Sequence, residues 1–311
     1  MRNLKGTMIL LVTALIWGTA FVAQTAASGS VGAFTFNASR GVLASVFLFC
    51  AVLIRARFGH KNTGEDGTGR KQPLFSRRTI LSGILCGIPL CIASNLQQFG
   101  IGLYPSDTAA SGRAGFLTAT YVIMVAVYTL ARTRRFRPVI PIAVVVCMAG
   151  MYLLCVSDGF SGIYTGDILI LLCAIGFTIY ILLVDSYGTV ETVKVSCVQF
   201  SVVAILSLIG MFLFEHPSWN SIVSAAFPII YAGIFSSGIA YTLQMVGQKY
   251  AEPVVATIVM SLEAVFAALS GWLILHEKLK GRELIGCVLV FAAVILAQLP
   301  ERRAAGNNRA R

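Results

Sequence analysis

Three ionisable residues lie inside long apolar stretches of this sequence. Glu263 lies near the middle of one stretch, whereas Arg40 and Arg113 lie near the starts of two others. Charged side chains are costly inside a membrane and mark functional sites by default. The position of Glu263 fits a proton or cation site, a partner for a substrate amine, or a structural hydrogen bond between helices, and the sequence leaves these alternatives open.

The two arginines have gating or electrostatic roles open to them. Arg40 can extend its guanidinium to the membrane interface, which favours a structural role. Arg113 lies in the first turns of its stretch, where it can attract anionic substrates or pair with Asp107. We favour a structural or gating role for Arg113.

Two stretches carry polar side chains at helical spacing. Asn95 and Gln98 share one helix face, and Tyr241 and Gln244 share another. Lipid cannot satisfy such groups, so they must face protein or water. We predict that they form a hydrogen-bonding wall of a substrate cavity; packing between helices is the alternative.

Three aromatic residues, Trp17, Tyr121 and Tyr180, lie in other apolar stretches. Each suits ordinary packing. Together they would suit a cavity for amphipathic or aromatic solutes, because small-molecule sites are largely lined by apolar and aromatic side chains.

Membrane helices must position these residues. The 311-residue chain is 57% hydrophobic and 12% charged, with a mean hydropathy of +0.82. Soluble domains carry about 25% charged residues, so lipid must cover the excess apolar surface. A helix needs about 20 apolar residues to cross the hydrocarbon core. The sequence predicts an all-α integral membrane protein with ten transmembrane helices, near 7–26, 34–54, 80–102, 108–130, 139–157, 166–185, 194–214, 226–248, 254–275 and 283–299.

The distribution of Lys and Arg predicts the orientation, because cytoplasmic loops are enriched in these residues. The net charge of +11 comes mainly from the N-terminus, loops 55–79 and 131–138, and the C-terminal tail. These segments share one side, and the basic 276–282 loop lies on the other. We expect a multi-pass protein of the cytoplasmic (inner or plasma) membrane, with both termini cytoplasmic.

The two halves of the chain resemble each other. Three pairs align: Trp17 with Phe177, Gln97 with Gln244, and Tyr121 with Glu263. Five is an odd number of spans, so the second copy must be inverted, as in many secondary transporters. We predict a first five-helix repeat at 1–157, a second, inverted repeat at 158–300, and a basic cytoplasmic tail at 301–311.

Three segments carry a family resemblance: Ala-Leu-Ile-Trp-Gly-Thr at 14–19, Ala-Gly-Phe-Leu-Thr-Ala-Thr-Tyr-Val at 114–122, and Ser-Leu-Glu-Ala-Val-Phe-Ala-Ala at 261–268 running to His-Glu-Lys-Leu at 276–279. In these segments the chain resembles the EamA-type branch of the drug/metabolite transporter (DMT) superfamily. Ala264 stands where the family commonly has Pro. The resemblance implies two inverted five-helix EamA-like repeats that move metabolites or xenobiotics.

We therefore expect a secondary transporter, and an exporter in direction, of small metabolites or drugs such as amino acids or amines. It would work by alternating access through a central cavity. A non-transporting sensor or assembly protein that reuses the fold is the alternative. A membrane-embedded enzyme is less favoured, because few ionisable groups converge.

The expected partners are a small-molecule substrate and the lipid bilayer, without nucleic acid. Proton coupling through Glu263 stays open, as does the oligomeric state. We expect no cofactor and no metal site. The eight cysteines form no CxxC pair, and the three histidines (His60, His216, His276) lie far apart in the sequence.

Overall fold

The computed structural model describes residues 2–59, 73–105, 110–134, 137–156, 163–187, 191–274 and 281–299. Within these ranges the chain is helical and contains no strand. Helices α1 to α14 are Arg2–Ser28, Ala33–Gly59, Arg77–Gly102, Ala110–Thr118, Tyr121–Thr133, Val139–Cys155, Thr165–Ser186, Thr192–Phe214, Trp219–Ser224, Ala226–Tyr231, Tyr241–Gln248, Pro253–Met260, Leu262–Ile274 and Gly281–Ala297, with a π-helix at Ala232–Ala240 between α10 and α11.

Within the described residues, every predicted span lies largely in helix. Eight helical stretches of the described chain are long and apolar enough to cross a membrane: Leu4–Ser28, Ala33–Phe58, Arg77–Gly102, Arg113–Thr133, Thr165–Ser186, Thr192–Phe214, Ala226–Gln248 and Pro253–Ser270. Helices α6 and α14 have 17 residues each, slightly short of a full crossing. The all-α membrane architecture is thus confirmed, and the number of ten spans stays a prediction.

The surface of the bundle is apolar, and polar side chains are buried inside it. Phe212 and Phe214 are 74% and 73% exposed on α8, whereas Gln199 on the same helix is fully buried. Contiguous apolar surface of this kind is rare on soluble monomers. The pattern fits a bundle that is surrounded by lipid and keeps its polar groups on protein partners.

The helices pack in a few extensive pairs. Helix α6 lies on α14, α2 on α8, α3 on both α7 and α8, and α1 on both α11 and α13. Three of these contacts bring glycine against glycine: Gly6 with Gly247 (α1–α11), Gly100 with Gly166 (α3–α7), and Gly150 with Gly286 (α6–α14). Small residues of this kind let membrane helices approach backbone to backbone.

Two stretches are interrupted in their middle. The helix from Ala110 to Thr133 breaks at residues 119–120, and the helix from Pro253 to Ile274 breaks at Ser261. At each break a hydroxyl bonds back to the carbonyl three residues earlier, Thr120 to Leu117 (2.6 Å) and Ser261 to Ile258 (2.7 Å). Such back-bonding competes with the regular helical ladder and bends a helix.

The glycine crossings predict a position-dependent effect of one added methyl group. A Cβ at Gly286 would lie 2.7 Å from the Gly150 carbonyl oxygen, whereas a Cβ at Gly115 meets no atom within 4 Å. We expect Gly286→Ala to destabilise the fold by roughly 1–3 kcal/mol through overpacking. Gly115→Ala should be neutral or slightly stabilising, because Ala favours helix. Thermal unfolding of both variants in detergent tests this, and equal melting temperatures would contradict the crossing.

Candidate substrate cavity

A cavity lies in the middle of the bundle and extends toward the end at which α1 terminates. It holds about 550 Å³ of space free of protein atoms, including the part open to solvent. Helices from both halves of the chain contribute to it. Its aromatic wall consists of Trp17, Phe21, Tyr121, Phe177, Tyr180 and Tyr241.

Tyr241 is the centre of this aromatic wall. Its ring lies 4.7 Å from the Trp17 ring and 5.9 Å from the Tyr180 ring, in tilted and edge-on arrangements. Trp17 donates from Nε1 to the Ser236 carbonyl oxygen at 3.4 Å. Ser236 belongs to the π-helix, a rare conformation that frequently occurs at functional sites. The rings hold one another in place at the edge of the cavity.

Arg40 also lines the cavity, which corrects the expectation that its guanidinium extends to the membrane interface. The residue is only 3% exposed. One terminal nitrogen donates to Ser94 Oγ at 3.3 Å, and the guanidinium lies 5.7 Å from the Phe36 ring centre. Its Nε has no hydrogen-bond partner. Arg40 therefore brings a buried positive charge with a free donor to the cavity.

Glu263 and Tyr121 line the cavity at the two helix breaks. Tyr121 is the first residue of α5, and Glu263 lies in the first turn of α13. The backbone of α1 approaches closely here, because a Cβ at Gly18 would lie 2.6 Å from the Glu263 carbonyl oxygen. Glu263 is 8% exposed, and no described residue pairs with its carboxylate. The helix N-terminus favours this negative charge.

Some of the polar residues on α3 and α11 line the cavity, and others form hydrogen bonds between helices. Gln244 lines the cavity, and its Oε1 has no partner. Gln97 lines it from α3, where its amide donates to Thr118 Oγ1 at 3.2 Å. Asn95 and Gln98 lie outside the lining.

These two amides face neighbouring helices instead. Asn95 accepts from Asn37 of α2 at 3.0 Å and donates to Ser207 of α8 at 3.1 Å. Gln98 makes a long contact of 3.5 Å with the Gln24 carbonyl oxygen of α1. In this structure the hydrogen bonds of Asn95 and Gln98 join helices. Packing between helices was the alternative to a cavity wall for these two residues.

A buried ion pair lies at the end of the bundle at which α3 ends and α7 begins. Arg113 binds both Asp167 oxygens, at 2.6 and 2.5 Å, and the two side chains are 6% and 7% exposed. Tyr104 donates to the same carboxylate at 2.8 Å, and the Tyr164 backbone N–H donates at 2.8 Å. Among the described residues, Arg113 therefore pairs with the acid Asp167, and Asp107 lies outside them.

Tyr104 is the neutral member of this cluster. Burial and the adjacent Asp167 carboxylate raise the pKa of the Tyr104 phenol. The hydroxyl therefore keeps its proton at physiological pH and donates a hydrogen bond to Asp167. With four donors around one carboxylate, this negative charge is satisfied and carries a structural role.

The opposite end of the bundle carries an exposed ion pair. A second cavity lies there, between the start of α1 and the ends of α11 and α14. Arg137 pairs with Glu252 at 3.0 Å beside it, and the Glu252 side chain is 63% exposed. Partial burial lowers the pKa of Lys249 on the same rim. The Gln248 amide, which donates to the Ile181 carbonyl oxygen at 3.3 Å, separates this cavity from the central one.

The two ion pairs should differ strongly in their effect on stability. Arg113→Met leaves Asp167 buried without its counter-ion, and we expect a loss of about 3–5 kcal/mol. Arg137→Met is the matched control, with an expected loss below about 1 kcal/mol because its partner is exposed. The double variant Arg113→Met/Asp167→Asn should regain part of the loss. Denaturant titration in detergent measures all three, and equal losses at Arg113 and Arg137 would contradict the structural role.

The fold and the cavity define a class: a multi-pass membrane protein with an internal cavity that aromatic and polar side chains line. Known proteins agree with this class. Residues 164–299 match the EamA-like transporter family. An uncharacterized transporter from Archaeoglobus fulgidus is 26% identical over 301 residues, which cover 96% of this chain and 87% of that protein. A solved crystal structure superposes with a TM-score of 0.76 at 21% identity, covering 96% of this chain and 99% of the other, and shows the shared fold.

These findings confirm the resemblance that the sequence predicted. The EamA-like match at residues 164–299 and the transporter-named relative support a membrane transporter at the general level.

Proposed function

We propose that the protein is a secondary transporter that exports small metabolites or drugs, such as amino acids or amines, by alternating access around the central cavity. The observation that carries this proposal is the lining. Aromatic rings surround two buried charges and a free amide oxygen, in the middle of a bundle that faces lipid. Small-molecule sites combine apolar walls with a few convergent polar groups in this way.

The proposal includes two inverted five-helix repeats, 1–157 and 158–300, that together make ten spans. When each helix is replaced by its equivalent in the other repeat, the α3–α7 contact corresponds to the α1–α11 contact. In the same way, the contact of α4 and α5 with α7 corresponds to the α1–α13 contact. The same exchange converts the Gly100–Gly166 crossing into Gly247–Gly6. The breaks before Tyr121 and Glu263 are equivalent too, which supports a site at the interface of the repeats.

The proposed orientation places both termini, with the basic tail at 301–311, in the cytoplasm, and places the protein in the cytoplasmic membrane. The support is the asymmetric distribution of Lys and Arg in the sequence. The end that contains Arg137 and Glu252 would then face the cytoplasm. The end that contains Arg113 and Asp167, toward which the central cavity extends, would face outward, and Arg113 would serve as a gating residue.

Within the cavity, we propose that Trp17, Tyr121, Tyr180, Tyr241, Gln244 and Glu263 contact the substrate. Gln97 joins this set because it lines the cavity from α3. Arg40 supplies the electrostatic attraction. Glu263 is the proposed coupling site, because its buried carboxylate has no protein partner and can exchange a proton with solvent in the cavity.

The transport proposal predicts solute flux that depends on an imposed gradient. Purified protein in liposomes is screened against a metabolite panel, with and without pH and voltage gradients. We expect pH-driven accumulation of at least one solute. Glu263→Gln should abolish the pH-driven accumulation, because it removes the proton site and keeps the shape of the side chain.

Glu191→Gln is the matched control, since Glu191 lies on the surface in a pair with Lys194. Unchanged gradient-driven accumulation in Glu263→Gln would rule out coupling through this residue. Absence of flux for every solute, in protein shown to be correctly inserted, would contradict secondary transport.

The inverted repeat predicts the sidedness of two equivalent loops. Reporter domains inserted in loops 131–138 and 276–282 should report opposite sides of the membrane, because an odd number of spans separates the two loops. Phosphatase and fluorescent-protein reporters, active on opposite sides, measure this in cells. Reporters on the same side would contradict the inverted arrangement.

A further inference from the structure

The cavity holds one positive and one negative side chain, and the two are not paired with each other. Arg40 and Glu263 both line it, and no salt bridge joins them. The Arg40 guanidinium lies beside the Tyr241 hydroxyl, and Tyr241 and Glu263 line the same cavity. Breaking or omitting one partner of a buried ion pair normally costs several kcal/mol. Two unpaired charges at one site therefore call for a ligand that supplies both partners.

The charge on Arg40 is the decisive one. A carboxylate such as Glu263 can lose its charge by taking up a proton, whereas a guanidinium keeps its charge under all physiological conditions. Arg40 also keeps a free Nε donor beside the cavity. A ligand without an anionic group would leave this buried cation and its donor unsatisfied.

The opposite charge on the ligand has its own set of partners. Glu263 accepts no hydrogen bond from any described residue, and the free Oε1 of Gln244 is a second acceptor on the lining. Trp17 and Tyr241 line the same cavity, and aromatic faces attract cations. Carboxylate, amide oxygen and aromatic faces are the partners that an ammonium group requires.

From this arrangement we propose that the cavity selects zwitterions, with Arg40 binding the carboxylate of the solute and Glu263 its ammonium group. The inference rests on the proposed transport function. It decides between two substrate classes that the function leaves open, since it favours amino acids over simple amines. The aromatic wall receives the apolar part of the solute.

Two matched sets of probes test the proposal. The first is L-leucine, 3-methylbutylamine and 4-methylpentanoate; the second is L-phenylalanine, 2-phenylethylamine and 3-phenylpropanoate. Each set keeps the skeleton and removes one charge at a time. Equilibrium binding to the purified protein in nanodiscs is measured, together with flux in liposomes. At least one amino acid should bind about tenfold or more tightly than both of its analogues, because each lost charged hydrogen bond weakens binding by about that factor.

Replacing either charged residue should remove the preference for the amino acid over one of its two analogues. In Arg40→Gln, amino-acid binding should fall to the level of the amine, and amine binding should not weaken. In Glu263→Gln, amino-acid binding should fall to the level of the acid, and binding of the acid should not weaken. The matched controls are Arg132→Gln and Glu191→Gln, which remove the same charges from exposed positions outside the cavity.

The outcomes separate this inference from the transport proposal. If an amine binds as tightly as its amino acid and is transported, zwitterion selectivity is wrong and transport stands. The same holds if none of the six probes binds while another solute of the panel moves. If no solute moves at all, the transport proposal itself fails. Arg40→Lys keeps the charge and should keep the preference for the amino acid over the amine, which guards against a variant that merely misfolds.

Discussion

Backbone contact at the glycine crossings determines where the helices of this transporter meet, and the shape of the cavity depends on it. Gly6 on α1 lies against Gly247 on α11. Trp17 follows Gly6 by about three turns, and Tyr241 precedes Gly247 by about two. Because the helices cross at the glycines, their rings meet 4.7 Å apart at the edge of the cavity. A methyl group at the crossing would separate the two helices and with them the aromatic wall.

Hydrogen-bond satisfaction distinguishes structural charges from those free to bind a ligand. Asp167 and Glu263 are both buried carboxylates in a lipid-facing bundle. Asp167 receives four hydrogen bonds, two of them from Arg113. Glu263 receives none from the described residues and borders the cavity. Since an unsatisfied buried charge is costly, its retention beside a cavity supports a functional role, whereas the saturated Asp167 only joins helices.

The sequence predicted the helices well, because apolar runs long enough to cross a membrane have few other folded forms. Seven of the fifteen residues that line the cavity were also candidates from the sequence. The sequence did not select the right face of α3, since Asn95, Gln97 and Gln98 are all polar and all buried there. Only the packing against α2 and α8 decides that Gln97 faces the cavity. The ion-pair partner of Arg113 was out of reach for a similar reason, because Asp167 is adjacent only in three dimensions.

For Arg40, the depth of the residue in the membrane was known from the sequence, but the direction in which its side chain points was not. It lies seven residues into α2, about 10 Å along the helix axis, a depth from which a long side chain can still reach the interface. The chain turns it inward instead, where Ser94 and the face of Phe36 hold the guanidinium beside Tyr241. The proposed pair of inverted repeats shows why the position of Arg40 matters. At the equivalent helix breaks one half places Tyr121 and the other Glu263, so a carboxylate enters the cavity from one side alone. Arg40 then places a positive charge in a cavity that has its carboxylate on one side, an asymmetry that two identical repeats would lack. A solute with two opposite charges would therefore bind in one orientation only.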